Sequence, residues 1–246
     1  MIEIGIDTAP SKVVIIVPIY NDLESAREIV LLINQRKDEF EKKQISFLLV
    51  DNGSTDARIV EFGLTLSSPI LMERFEQNLG FGGGILKAAK GSQAEWIGWM
   101  PGNLKVNPII ILDLLDNFGF KTGDVIKCKR IGRKIGGRMK TLTMGIVQSI
   151  YAGKNMVDTG GTPTICERRV LLLMPNPPTS VVFESFVLYW VQKFNLNLIR
   201  PKIPYGERKY GDSHWQNGLK SEFRLAREIL SQMKVWKAVD SKIQET

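Results

Sequence analysis

The sequence predicts an α/β fold of three layers, with a mostly parallel central sheet and a C-terminal amphipathic helix. Three observations carry this expectation. Short, continuous β-branched runs alternate with segments of helical period, as in strands buried on both faces and their crossover helices. Turn-forming clusters stand at the C-terminal ends of those runs. A 246-residue chain that is 43% apolar and 24% charged has the material for an ordinary core.

The elements follow in order. Residues 12–18 carry a continuous β-branched run, Val13 to Val17, that reads as a buried strand. Leu23, Ala26, Val30 and Ile33 then recur at helical spacing behind Asp22, a suitable N-cap. A second strand is expected over 46–50, closed by the turn-rich 51–56, with a short helix after it. Residues 70–75 read as a third strand, and 80–84 open a helix that ends near Lys90 and Gly91. A fourth strand over 96–100 leads through a loop to a helix with Pro108 in its first turn. Beyond 125–128 the pattern loosens into a basic helical segment, the loop 158–164 and a helix from about 183 to 194. Leu219, Phe223, Ala226, Leu230 and Met233 mark an amphipathic closing helix. Alternation at this spacing means right-handed crossovers, with ligands gathering beyond the carboxyl ends of the strands. The loops 18–22, 51–56 and 100–107 are therefore the places to look for chemistry.

Composition narrows the class of function. The longest apolar run, 13–19, is interrupted by Pro18 and falls far short of the roughly 18 residues of a spanning helix. The acidic start and lack of an apolar stretch in the first twelve residues do not read as a signal peptide. Cys128 and Cys166 lack CxxC spacing and fit a reducing compartment, so a cytoplasmic location is expected. With a single His in the chain, His-rich metal sites are excluded. Lys and Arg number 33 against 26 Asp and Glu, a net charge of +7. Residues 125–157 hold eight of the cations (Lys127, Lys129, Arg130, Arg133, Lys134, Arg138, Lys140, Lys154) and no acid, while the remainder is near neutral. A local anionic partner follows from that distribution. Nucleic acid is not expected, because a longer positive track with aromatic platforms is missing.

Val17-Pro18-Ile19-Tyr20-Asn21 ends the first strand, and Asp51-Asn52-Gly53-Ser54-Thr55-Asp56 ends the second. Asn78-Leu79-Gly80-Phe81-Gly82 follows the third, and Arg208-Lys209-Tyr210-Gly211-Asp212-Ser213 lies near the end. In this order the motifs resemble the family 2 glycosyltransferases of GT-A fold, closest to the branch of dolichyl- or polyprenyl-phosphate hexosyltransferases. The resemblance extends over about residues 13–213. It implies one GT-A domain over 1–246: a nucleotide-sugar half at 13–107, an acceptor half at 108–215 and a C-terminal helix at 216–246. It also implies donor-nucleotide contacts from Pro18, Tyr20, Asn21, Asp51, Asn52, Gly53 and Gly82. A strand-end carboxylate can accept bonds from a base or ribose, and a Tyr ring can pack on the base. The same Asp-Asn-Gly-Ser run is also good turn chemistry without any ligand. A dinucleotide fingerprint is excluded at 80–85, since the last Gly is replaced by Ile85 and no strand ends directly before it.

The chain departs from the family where a D-x-D is expected to hold Mg2+ or Mn2+ against the diphosphate. It reads Pro101-Gly102-Asn103, leaving only Asn103 at the diphosphate position and no confident metal ligand. On the acceptor side, Asp158 and Glu184 stand where the family places catalytic carboxylates, but the expected partner of Glu184 is Ser185. A helix-start role for Glu184 is the alternative. A phosphate monoester acceptor is already ionised and needs no general base. Arg130, Arg208 and Ser213 are candidates to hold it, by bidentate guanidinium contacts in the case of the arginines. The resemblance thus implies hexose transfer, with inversion, from a nucleotide-diphosphate sugar to a polyprenyl phosphate. Alternatives are a saccharide hydroxyl acceptor in cell-envelope polysaccharide synthesis, or a nucleotide-sugar-binding protein without catalysis. The basic stretch 127–154, interleaved with Ile and Met, can lie on an anionic membrane surface, placing the protein peripherally on its inner face.

Overall fold

A computed structural model describes residues 11–119, 121–210 and 219–244, without the side chains of 219–222 and 237–244. The chain opens with β1 (Val13–Ile19), α1 (Leu23–Asn34), α2 (Lys37–Lys42) and β2 (Ile45–Asn52). It continues through α3 (Arg58–Leu64), β3 (Ile70–Phe75), α4 (Gly80–Gly91), β4 (Trp96–Trp99) and α5 (Ile110–Phe118). The second half comprises β5 (Asp124–Lys127), β6 (Lys129–Ile131), α6 (Ile135–Ala152), β7 (Thr164–Glu167) and α7 (Arg168–Leu172). It ends with α8 (Phe183–Lys193), β8 (Asn197–Ile199), β9 (Lys202–Pro204) and α9 (Leu219–Gln244).

Among the described residues the large sheet has seven strands in the order β3-β2-β1-β4-β7-β5-β8. β1 is central and pairs in parallel with β2, Val17 opposite Leu49, and with β4, Val14 opposite Ile97. Only β7 runs against its neighbours, pairing antiparallel with both β4 and β5. A separate parallel pair joins β6 to β9.

Alternating residues of β1 supply the two sides of the core, the period-2 rule in action. Ile15 and Val17 pack with Ala26, Ile29 and Ile33 of α1, Phe40 of α2 and Ile111 of α5. Ile16 faces the other layer, built from Ile85 of α4, Leu171 of α7, α8 and the buried face of α9. There Phe186 and Tyr189 meet Trp236, with ring centroids 5.2 and 5.6 Å apart. The expected three-layer α/β architecture is therefore present. Asp22 caps α1 as anticipated, accepting from the Ser25 N–H at 3.3 Å.

Three expectations are corrected. The loop expected over 158–164 gives way at Thr164 to β7, whose four residues are all buried. The face α9 buries is Ile229, Met233 and Trp236, whereas Phe223 is 76% exposed. The buried stripe follows a spacing of 4 and 3 that starts later and leaves Phe223 on the outer side. The basic stretch is also not uniformly a surface: Lys127 is fully buried, because it occupies a core strand and finds a buried carboxylate. Ser213, His214, Trp215 and the first ten residues lie outside the described residues. No described helix is long and apolar enough to cross a membrane.

Candidate active site

The carboxyl ends of β1 and β2 are stitched together before any ligand is considered. Asn21 adopts a positive φ of 48°. Its N–H donates to Ser54 Oγ at 2.9 Å and its Oδ1 accepts from Thr55 N–H at 2.9 Å. Asp51 is fully buried; Oδ1 accepts from Ser54 N–H at 2.9 Å and Oδ2 meets Arg74 Nη1 at 2.5 Å. Asn52 donates to the Gly80 carbonyl at 3.0 Å and accepts from Leu79 N–H at 3.0 Å, tying β2 to the start of α4. Gly53 has φ +79°, and a Cβ there would stand 2.5 Å from the backbone of Asn78. Only Gly satisfies both constraints.

Above these loops lies a cavity of about 360 Å³ lined by Pro18, Ile19, Tyr20, Asp22, Asn52, Asn78, Phe81, Pro101, Gly102, Asn103, Arg208 and Arg224. The loops after β1, β3 and β4 and the last residue of β2 converge on it, at the carboxyl ends of the strands. Of the residues expected at a nucleotide, Pro18, Tyr20 and Asn52 line the cavity, as does Asn103 of the diphosphate position. Asn21, Asp51, Gly53 and Gly82 do not; they form the support beneath it. Gly82 approaches chain rather than cavity, since a Cβ would lie 2.5 Å from the Pro178 carbonyl and 2.7 Å from Phe183 Cβ.

A divalent cation does not fit the groups this cavity offers. Pro101 and Gly102 carry no donor, and Asn103 Oδ1 accepts from the Lys105 N–H at 3.3 Å. Among the described residues the one carboxylate in the lining, Asp22, is bound by Arg208 Nη2 at 2.6 Å. Among the described residues no three His, Cys, Asp or Glu side chains converge as hard-cation ligands.

The two carboxylates expected on the acceptor side are brought to one region, each held by cations. Glu184 Oε1 accepts from Trp99 Nε1 at 2.7 Å, and Oε2 is paired with Lys127 Nζ. Lys127 also donates to the Gly161 carbonyl at 3.2 Å. Burial pushes the Lys127 ammonium down from its usual range, and the Glu184 carboxylate opposes that shift. Asp158 accepts from Arg130 Nε at 2.7 Å on one oxygen and from the Arg130 N–H at 2.7 Å on the other. Burial favours its neutral form, but the Arg130 charge and bonds outweigh this and hold its carboxyl below the usual range. Arg200 donates to the carbonyls of Val157 and Asp158, at 2.8 Å each. Arg130 also stacks over Tyr205, 5.3 Å from the ring centre.

Sequence reasoning missed Lys127, Arg74, Lys105, Arg200 and Arg224. A lone Lys between Ile126 and Cys128, matched by a lone Glu in the apolar 182–191 run, was the available signal for a buried pair. For Arg74 and Arg200 the sequence offers no comparable signal.

This arrangement, a switch-point cavity over a mixed sheet with one reversed strand, defines the GT-A glycosyltransferase class. The sequence profile described as Glycosyl transferase family 2 matches residues 14–193, and the chain belongs to that family. The fold is similar to glucosyl-3-phosphoglycerate synthase from Mycobacterium tuberculosis in complex with phosphoglyceric acid. There the TM-score is 0.69 at 14% identity, covering 91% of this chain and 79% of the other. The same enzyme with Mn2+, UDP-glucose and phosphoglyceric acid gives 0.69 at 14% identity, over 89% and 77% of the two chains. Its complex with Mn2+, UDP and glucosyl-3-phosphoglycerate gives 0.67 at 13%, over 89% and 77%. Comparison by sequence with curated proteins finds no match.

Proposed function

We propose that this glycosyltransferase moves a hexose from a nucleotide-diphosphate sugar to a phosphate-bearing acceptor, a polyprenyl phosphate presented at an anionic membrane surface. One observation carries the acceptor class: Asp158 and Glu184 are each bound to a cation, so the nucleophile has to bring its own negative charge. A phosphate monoester does so at neutral pH. In this reading Arg130, joined by Ser213, holds the acceptor phosphate, while Arg208 lies on the donor cavity. Asp158 and Glu184 act by positioning, the first by orienting Arg130 and the second by anchoring Lys127 under the 161–164 loop. The similar synthase binds UDP-glucose with Mn2+ and phosphoglyceric acid, which supports a nucleotide-sugar donor and a second ligand bearing phosphate.

The membrane component rests on α6. Ile135, Met139, Leu142, Ile146 and Ile150 recur at spacings of 4, 3, 4 and 4, and all are exposed, Ile150 to 79%. Gly145, Gln148 and Ala152 form the opposite, buried face. Arg133, Lys134, Arg138 and Lys140 lie around the N-terminal half of that stripe, with no acid from 125 to 157. Apolar burial in the acyl boundary plus attraction to anionic headgroups is the chemistry of an interfacial helix.

The test is a turnover assay with UDP- and GDP-hexoses and a short polyprenyl phosphate in anionic vesicles. A lipid-linked hexose is expected; no product from any donor, in Mn2+ or in EDTA, overturns the reading. Pro101-Gly102-Asn103 favours a second reading, a nucleotide-sugar-binding protein. Calorimetric nucleotide binding with no product from lipid phosphate or saccharide acceptors supports it.

A further inference from the structure

We infer that the charge of the donor diphosphate is met in this chain by the guanidinium groups of Arg208 and Arg224 rather than by a divalent cation. The inference rests on the nucleotide-diphosphate reading above and extends it to how the diphosphate is held.

A divalent ion held by two carboxylates is close to neutral as a unit. Pro at 101 and Asn at 103 remove both negative charges, and with them the attraction that would concentrate a hard cation there. The diphosphate still brings its own charge, and that charge has to be compensated in a partly enclosed site. Arg208 and Arg224 line the same cavity as Asn103, so two guanidinium groups share a wall whose one described carboxylate is Asp22. Guanidinium forks match phosphate oxygens in pairs, which a single ammonium does not do.

A cation next to the lining agrees in sign. Lys105, two positions beyond Asn103, is half-buried, and its ammonium is pushed down by burial, then by the charges of Arg208, Arg130 and Arg133. Asp22 pairs with Arg208 Nη2 while capping α1 through Ser25 N–H, and the Tyr210 carbonyl accepts from Arg208 Nε at 2.7 Å, which fixes the guanidinium at the cavity with part of its fork engaged. Arg224 comes from α9, so the closing helix contributes a side chain to the site.

The test is calorimetry on the full chain with UDP, UMP, GDP and GMP, each in EDTA and in Mn2+. One diphosphate should bind in EDTA within about threefold of its affinity in Mn2+, and about tenfold more tightly than its monophosphate. Arg224→Gln changes an exposed residue and should leave thermal stability intact while erasing most of that tenfold preference. Arg208→Lys keeps the charge opposite Asp22 but loses the fork, and should reduce the preference by a smaller factor. Diphosphate binding that appears only with Mn2+ overturns the inference, as does an unchanged preference in Arg224→Gln. Both results leave the nucleotide reading standing. Absence of binding by all four nucleotides in both media removes the nucleotide reading, and this inference with it.

Discussion

The indole of Trp99 and the carboxylate of Glu184 lie 85 positions apart in sequence and 2.7 Å apart in space. That bond orients one oxygen of Glu184, and the fully buried Lys127 takes the other. β4, β5 and α8 are thereby pinned to one another beneath the acceptor region. Lys127→Met strands a buried carboxylate and should cost about 3–5 kcal/mol in urea unfolding. Lys127→Met combined with Glu184→Gln keeps an acceptor for Trp99 and should recover much of that loss. Additive losses in the double variant would show that the two side chains are not coupled.

Two glycines of α4 should respond in opposite directions to Ala. At Gly82 a Cβ would press on the Pro178 carbonyl at 2.5 Å and on Phe183, so Gly82→Ala should destabilise by about 1–3 kcal/mol. At Gly91 nothing lies within 4 Å, and Gly91→Ala should stabilise by about 0.4–1 kcal/mol through the unfolded chain. Thermal melts of the two variants check both signs.

The exposed face of α6 should be dispensable for folding. Ile135 and Ile150 are 78% and 79% exposed, so Ile135→Ser with Ile150→Ser should shift stability by no more than about 0.5 kcal/mol each. The same pair should sharply reduce flotation with phosphatidylserine vesicles. Flotation equal to that of the unaltered protein would remove α6 as the contact.

Neither thiol should react in the native protein. Burial pushes Cys128 and Cys166 both up to about 12, and both side chains are withdrawn from solvent. Iodoacetamide at pH 8 should modify neither cysteine in the folded chain and both in guanidinium. Rapid native labelling of either would contradict the packing of β5 and β7.

The Asp158–Arg130 pair should make the protein acid-sensitive. The folded pKa of Asp158 lies below its ordinary value of 3.8, so the folded state favours the ionised form. Its contribution is fully present above the unfolded value, about 4, and is lost as pH falls through the lower folded value. Urea midpoints of the unaltered protein and Asp158→Asn should therefore differ at pH 7 and converge towards pH 3.

The donor side was legible because its signals are local. Val13–Ile19 is an apolar run, Ile70–Phe75 opens on three apolar residues, and Asp22 and Asp51 each bond backbone within three residues. The acceptor side depends on distant pairings. β7 has four residues and reverses direction, a choice set by its neighbours and not by its own propensity. Lys127 reads as one more surface cation until the sheet places it opposite Glu184. Arg130 likewise reads as a free phosphate ligand until Asp158 is found against it.

The reversed strand has a consequence for how this scaffold can vary. Because β7 runs against β5, the stretch 128–163 leaves the sheet beside Lys127 and returns opposite it at Thr164. The Cys128 N–H closes its base on the Pro163 carbonyl at 3.1 Å. Topologically it is one long loop on a hairpin, although it carries α6, Asp158 and most of the cationic excess. Its exposed parts can be lengthened or trimmed without shifting any register of the seven-stranded sheet, while β6, Ala152 and Met156 tie it to the rest of the molecule. On the proposed reading, acceptor choice and surface attachment both belong to this one excursion, mounted on a sheet whose strand pairing does not depend on them.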